Sequence, residues 1–231
     1  MKRKLMQLLP WLLVACAFAC TVAFFALTGA HNLDSDMSSE MVLAALQNRE
    51  GTLVSRNWLY STELRLIGAV PLYQLGLLLF DSWHAARTLA VALLLAAVLA
   101  AFLFMAKQAG LGKSTPWVAM ILCLPINESY AYISQYGGYY AMHVALSFVL
   151  IGLVLRYART GLKQGRAALL LLAALGFYSG LAGVRMLMMI LAPLFAAALL
   201  LAAYHLRGQE TVRGAYLMKE QMLYQHLQQK L

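Results

Sequence analysis

Two carboxylates two residues apart, Asp34 and Asp36, stand in the stretch His31-Asn32-Leu33-Asp34-Ser35-Asp36-Met37-Ser38-Ser39-Glu40. Glu40 follows one helical turn after Asp36, and Arg56, Glu63 and Arg65 share the same long segment, which extends to Arg87. Carboxylates opposite cationic side chains can bind a divalent cation or a phosphate, and one of them can act as a general base. The same residues also read as a helix cap beside a solvated acid, and Asp-Ser-Asp alone does not separate the two.

Other polar residues are sparser. Arg185, in Ala182-Gly183-Val184-Arg185-Met186, suits an anion site or a tight turn whose Arg snorkels to headgroups. The run Asn127-Glu128-Ser129-Tyr130-Ala131-Tyr132-Ile133-Ser134-Gln135-Tyr136-Gly137-Gly138-Tyr139-Tyr140 reads as an interfacial aromatic belt. His143 reads as a packing or interhelical hydrogen-bond residue. Cys16, Cys20 and Cys123 lie in apolar stretches, with no metal-ligand spacing and no disulfide framework.

The elements that must position these groups are set by composition. Of 231 residues, 62% are hydrophobic and 12% charged, where a soluble domain has about half and a quarter. The excess falls in runs near the length of a bilayer-spanning helix. That excludes a soluble globular domain, a disordered chain and a disulfide scaffold, and predicts an all-α polytopic membrane protein. Six spans are expected: Leu8–Ala30, Thr88–Ala106, Thr115–Ile133, Gly138–Tyr157, Ala167–Gly183 and Met186–Leu206. Ile67–Phe80, with 14 residues, suits an interfacial or re-entrant helix. Residues 1–206 thus form a transmembrane module with its candidate catalytic loop at 31–87, and residues 207–231 a polar helical tail.

Parity gives the orientation. With Ile67–Phe80 held on the outer side and the N-terminus inside, 13 Lys and Arg fall inside and 5 outside, while 7 of 9 acidic residues fall outside. Letting that segment cross reverses the basic count, against the tendency of cytoplasmic loops to carry Lys and Arg. The expectation is a multi-pass protein of the cell (inner) membrane with both termini cytoplasmic. The net charge of +9 then reflects a basic face on anionic lipid headgroups, not nucleic-acid binding. Leu13-Val14-Ala15-Cys16 resembles a lipoprotein cleavage box, but the apolar run continues to Leu27, as in an uncleaved span.

Within the 31–87 segment, Asp36 or Ser38 is placed to cap a helix that runs to about Asn48 and ends at Gly51. Met37, Met41, Ala44 and Ala45 would face the membrane, making an amphipathic surface helix. Pro125 is expected to kink the third span.

This order of elements resembles the integral-membrane glycosyltransferases of the GT-C class, particularly the lipid-linked-sugar enzymes related to protein mannosyltransferases and aminoarabinose transferases. Asp36 after the first span, Gly51 fifteen residues on, the short Ile67–Phe80 helix, Arg87, and Arg185 eight residues before Pro193 occupy family positions. Asn57-Trp58-Leu59-Tyr60-Ser61-Thr62-Glu63-Leu64-Arg65 is similar to a form common in bacterial members. The resemblance covers roughly residues 8–206. It implies sugar transfer from a polyprenyl-phosphate carrier to an acceptor on the outer side. Asp36, with Asp34 beside it, would be the base or metal ligand; Arg185, Glu63, Arg65 and Tyr60 would bind substrate. Where many relatives carry a second acidic residue, between the third and fourth spans, this chain has Gly or Tyr, with Glu128, Gln135 or His143 as substitutes. Relatives continue through further spans, so a module completed by a second polypeptide is expected. A non-catalytic scaffold or a transporter fragment are the alternatives from other classes.

Overall fold

A computed structural model of the chain describes residues 2–60, 68–132, 140–181, 187–197 and 199. Every regular element among them is helical: α1 (Lys2–Thr28), a 3-10 turn (Gly29–His31), α2 (Ser35–Glu50), α3 (Ala69–Leu79), α4 (Trp83–Ala109), a second 3-10 turn (Gly112–Ser114), α5 (Thr115–Cys123), a single turn α6 (Glu128–Tyr130) and α7 (Ala141–Leu181). A π-helical turn, Leu187–Leu191, begins a second compact unit, which is separate from the Met1–Met186 unit described here. Among the described residues, three helices are long and apolar enough to cross a membrane: Leu8–His31, Trp83–Ala109 and Ala141–Arg159.

The centre of the unit is α4. Ala90, Leu94, Val98 and Ala101 meet Ala141 and Ala145 of α7 together with Met41 and Ala44 of α2 and Val70 and Tyr73 of α3. Its other face, through Phe102 and Ala106, packs on Val14 and Ala17 of α1 and Ala119 and Cys123 of α5. Alanine at these contacts lets helix backbones approach closely, the usual solution where apolar burial cannot drive association. α4 and α7 run parallel, since Phe102 meets Phe148 and Phe104 meets Gly152. A side chain at Gly152 would collide with the Phe104 ring at 2.6 Å.

α3 has 11 residues, about 16 Å of helix, too short to cross, and lies within the 14-residue stretch expected to be a short helix, whose first residue, Ile67, is outside the described residues. It packs against α2 and α4. Gly76 makes the second contact possible: a Cβ there would lie 2.7 Å from the Ala86 carbonyl oxygen.

Three expectations change. The predicted third span is broken: α5 stops at Cys123 after nine residues, and Leu124 is extended (φ −86°, ψ 145°). Leu124 precedes Pro125, whose ring disfavours helical geometry in the residue before it. The break is satisfied by side chains, with Thr21 Oγ1 donating to the Cys123 carbonyl at 2.7 Å and Tyr130 Oη to that of Leu122 at 2.7 Å. Second, no reversal occurs around Arg156–Arg166. α7 runs unbroken for 41 residues, about 62 Å and roughly twice the hydrocarbon thickness, carrying most of the fourth and most of the fifth expected spans on one helix. Third, the apolar face of α2 does not lie on the membrane. Met37, Met41 and Ala44 are buried, because α3 and α4 cover that face.

Candidate functional site

The polar groups gather where α1 ends and α2, α3 and α4 begin. α2 is started by Asp34, not by Asp36 or Ser38: Asp34 is extended (φ −103°, ψ 178°), and its Oδ1 accepts from the Met37 N–H at 2.7 Å. This satisfies one of the first-turn amides that no intrahelical carbonyl can reach. The helix ends at Gly51, whose φ of 64° is the left-handed geometry that favours glycine. Asp36, one residue into the helix, is exposed.

The second oxygen of Asp34 accepts from the phenol of Tyr132. This ties α2 to the segment that follows the broken third crossing. The hydrogen bond to the Asp34 carboxylate, above all, pushes the Tyr132 pKa up, since the phenol loses that bond on ionising beside a negative charge.

Beneath this surface lie three buried polar side chains. Arg87 is 2% exposed, Glu40 7% and Tyr73 0%. Arg87, in the first turns of α4, donates from Nη1 to the Gly29 carbonyl at 2.8 Å and from Nη2 to that of Asn32 at 2.9 Å. Both carbonyls belong to the turn that ends α1, where a cation is favoured by the helix dipole. Arg87 Nη2 also meets the Met37 sulfur at 2.8 Å, and its guanidinium stands 5.0 Å from the Phe25 ring centre. Burial, then the charge of Glu40, raise the Tyr73 pKa, with Arg87 opposing them. Arg87 thus joins the end of α1, the start of α2 and the core of the unit.

The loop after α2 is pinned by amides. Gln47 Nε2 donates to the Leu53 carbonyl at 2.7 Å and to Tyr60 Oη at 3.2 Å, and Tyr60 Oη also accepts from the Ser55 N–H at 2.9 Å. Asn48 and Gln74 bind each other's neighbourhood, through the Gln74 carbonyl and the Thr52 carbonyl. Asn57 donates to Glu50 at 2.7 Å, which holds the Glu50 carboxyl below its usual range.

The structure therefore brings Asp34 and Asp36 to one helix end, with Tyr60 on the loop that leaves the other end of α2. Tyr60 is occupied as a loop brace. Glu63, Arg65, Arg185 and Gln135 lie outside the described residues. Glu128 is exposed in α6, and His143 sits in the first turn of α7 with its ring 5.8 Å from that of Tyr140. Among the described residues no three His, Cys, Asp or Glu side chains converge as a metal site. Each Asp34 oxygen accepts one hydrogen bond, which fixes the carboxylate in place.

Sequence reasoning gave Tyr132 no individual role, and left Arg87 as a family position and Glu40 as a companion of Asp36. An Arg in the otherwise apolar α4 was the available signal, since such residues are seldom buried unpaired. Tyr132 carried none, because its partner is 98 residues away. No protein-family model matches the chain, and no curated protein or solved structure matches it either.

Proposed function

We propose that the chain is a GT-C-like glycosyltransferase module that moves a sugar from a polyprenyl-phosphate carrier to an acceptor on the outer side of the cell membrane. The observation that carries this reading is the pair at the start of α2. Asp34 is fixed by two hydrogen bonds, while Asp36, beside it, is exposed at the exit of a helix long enough to span. An accessible carboxylate on a braced helix end, next to apolar helices, is what a base needs to serve a substrate that arrives through lipid.

In this reading Asp36 takes the proton from an acceptor hydroxyl or amine as that oxygen or nitrogen bonds to the anomeric carbon. The anomeric carbon–oxygen bond breaks, and its electron pair leaves on the carrier phosphate. Arg185 and Arg65 hold that phosphate, with Glu63 on the sugar side; Tyr60, at the far end of α2, braces the loop.

The test is sugar transfer in membranes that contain the chain with its natural neighbours and a labelled carrier-linked sugar. Asp36→Asn should lower transfer by about 10²–10⁴-fold, the usual contribution of a general base, with expression intact. Undiminished transfer overturns the assignment.

One set of contacts favours a second reading, a non-catalytic membrane scaffold. Asp34, Arg87 and Tyr60 all spend their hydrogen bonds on holding segments together. A scaffold predicts that Asp36→Asn combined with Glu63→Gln leaves every phenotype of the chain unchanged.

A further inference from the structure

α4 has 27 residues, about 40 Å of helix, against a hydrocarbon layer of about 30 Å. Its first turns lie beside the start of α2, where Arg87 meets Met37, so its last turn reaches headgroup level on the opposite face. There the chain reverses through Gly110–Ser114. Gly110 is left-handed (φ 72°), the Leu111 N–H donates to the Ala106 carbonyl at 3.1 Å, and the Ser114 N–H to that of Leu111 at 3.2 Å.

Three elements each bring one cation to this turn. Lys107 lies in the last turn of α4, Lys113 in the 3-10 turn before α5, and Arg159 on α7. A β-carbon on Gly110 would stand 4.0 Å from Arg159 Nη2, so the guanidinium lies over the reversal. All three side chains are exposed. Arg87 spends its donors on carbonyls, whereas these three have no hydrogen bond or ion pair among the described residues. Arg156, a turn earlier on α7, is engaged and is not counted.

No nearby carboxylate balances the three charges. Between Asp81 and Glu210 the sequence has one acidic residue, Glu128. It lies in α6, at the end of the third crossing where Tyr132 meets Asp34. Cations gathered on one turn repel each other, and an anion among them relieves that repulsion. The neighbouring apolar side chains decide what carries the anion. Leu111, at the reversal, is 38% exposed, and Trp117, one turn into α5, is 48% exposed. Tryptophan is enriched where bilayer meets water, and both side chains need apolar cover that a soluble ion cannot give.

We infer that this turn binds one anionic membrane phospholipid, its phosphodiester held by Lys107, Lys113 and Arg159 and its glycerol and upper acyl chains against Leu111 and Trp117. It is a discrete site within the basic face, distinct from diffuse attraction to it. The inference does not depend on the transferase reading.

The test is native mass spectrometry of the full chain, released from micelles that contain equal phosphatidylglycerol and phosphatidylcholine. Phosphatidylglycerol should be the first lipid retained, by more than about fivefold, since one cationic group near the surface confers about that preference. Arg159→Gln should weaken its binding about fivefold, and Lys113→Gln should do the same. Arg166→Gln, an equal loss of charge about 10 Å further along α7, should leave it unchanged. Equal retention of the two lipids overturns the inference. So does equal weakening by Arg166→Gln and Arg159→Gln, the mark of diffuse attraction. Release of the phosphatidylglycerol by glycerol 3-phosphate at constant ionic strength also overturns it, in favour of a soluble phosphate.

Discussion

The Tyr132 phenol donates to Asp34, the residue that starts α2, across 98 positions of sequence. One carboxylate therefore does two jobs: it caps a helix with Oδ1 and anchors the end of the broken third crossing with Oδ2. A double-mutant cycle with Asp34→Ala and Tyr132→Phe should give a coupling of about 1.5–3 kcal/mol, as for hydrogen bonds to charged groups. Unfolding in mixed detergent measures it, and additive effects of the two changes would show that the two groups are independent.

Arg87 should tolerate no neutral replacement. Arg87→Met removes the donors to Gly29 and Asn32 and leaves the neighbouring buried polar groups without their cation. The expected cost is about 3–5 kcal/mol. Arg87→Lys should recover only part of it, since one ammonium cannot reproduce a planar fork. The same unfolding assay reads both; equal stability of Arg87→Lys and wild type would contradict the geometry.

Two glycines should respond in opposite directions. At Gly76 a Cβ meets the Ala86 carbonyl oxygen at 2.7 Å and the Ala86 Cα at 2.8 Å. Because both are backbone atoms, Gly76→Ala must separate α3 from α4, at about 1–3 kcal/mol. Gly180, within α7, has nothing within 4 Å of that position, so Gly180→Ala should gain about 0.5–1 kcal/mol from helix propensity. A neutral Gly76→Ala would mean the α3–α4 contact is looser than described.

The Glu50–Asn57 contact makes a pH prediction. The folded pKa of Glu50 is lowered, first by the Asn57 hydrogen bond and then by that to Ser55. A lowered folded pKa means the contact stabilises fully above the unfolded value and is lost as pH falls through the folded one. Amide exchange in residues 51–57 should therefore accelerate below the ordinary carboxylate range. Asn57→Ala should bring the Glu50 carboxyl back towards its ordinary value, which carboxyl carbon NMR reads directly.

What the sequence alone determined was local or compositional. Runs of apolar residues near twenty identify helices of spanning length because the backbone must satisfy itself in hydrocarbon. Ile67–Phe80 was legible as a short helix by length, and Gly51 as a helix end by its tolerance of positive φ. The carboxylate pair was legible as a feature, but its division of labour was not. Whether Asp34 or Asp36 caps depends on which one is extended when α2 starts, and it is Asp34.

Only tertiary structure decided the rest. An apolar helix face does not say whether lipid or protein will cover it, so Met37, Met41 and Ala44 could be placed only once α3 and α4 were seen over them. A basic stretch such as Arg156–Arg166 is compatible with a turn or with a solvated helix, since long cationic side chains reach water from either; the chain takes the helix. Buried Arg87 and the Asp34–Tyr132 contact depend on groups 50 to 98 residues apart, a separation that no local pattern encodes.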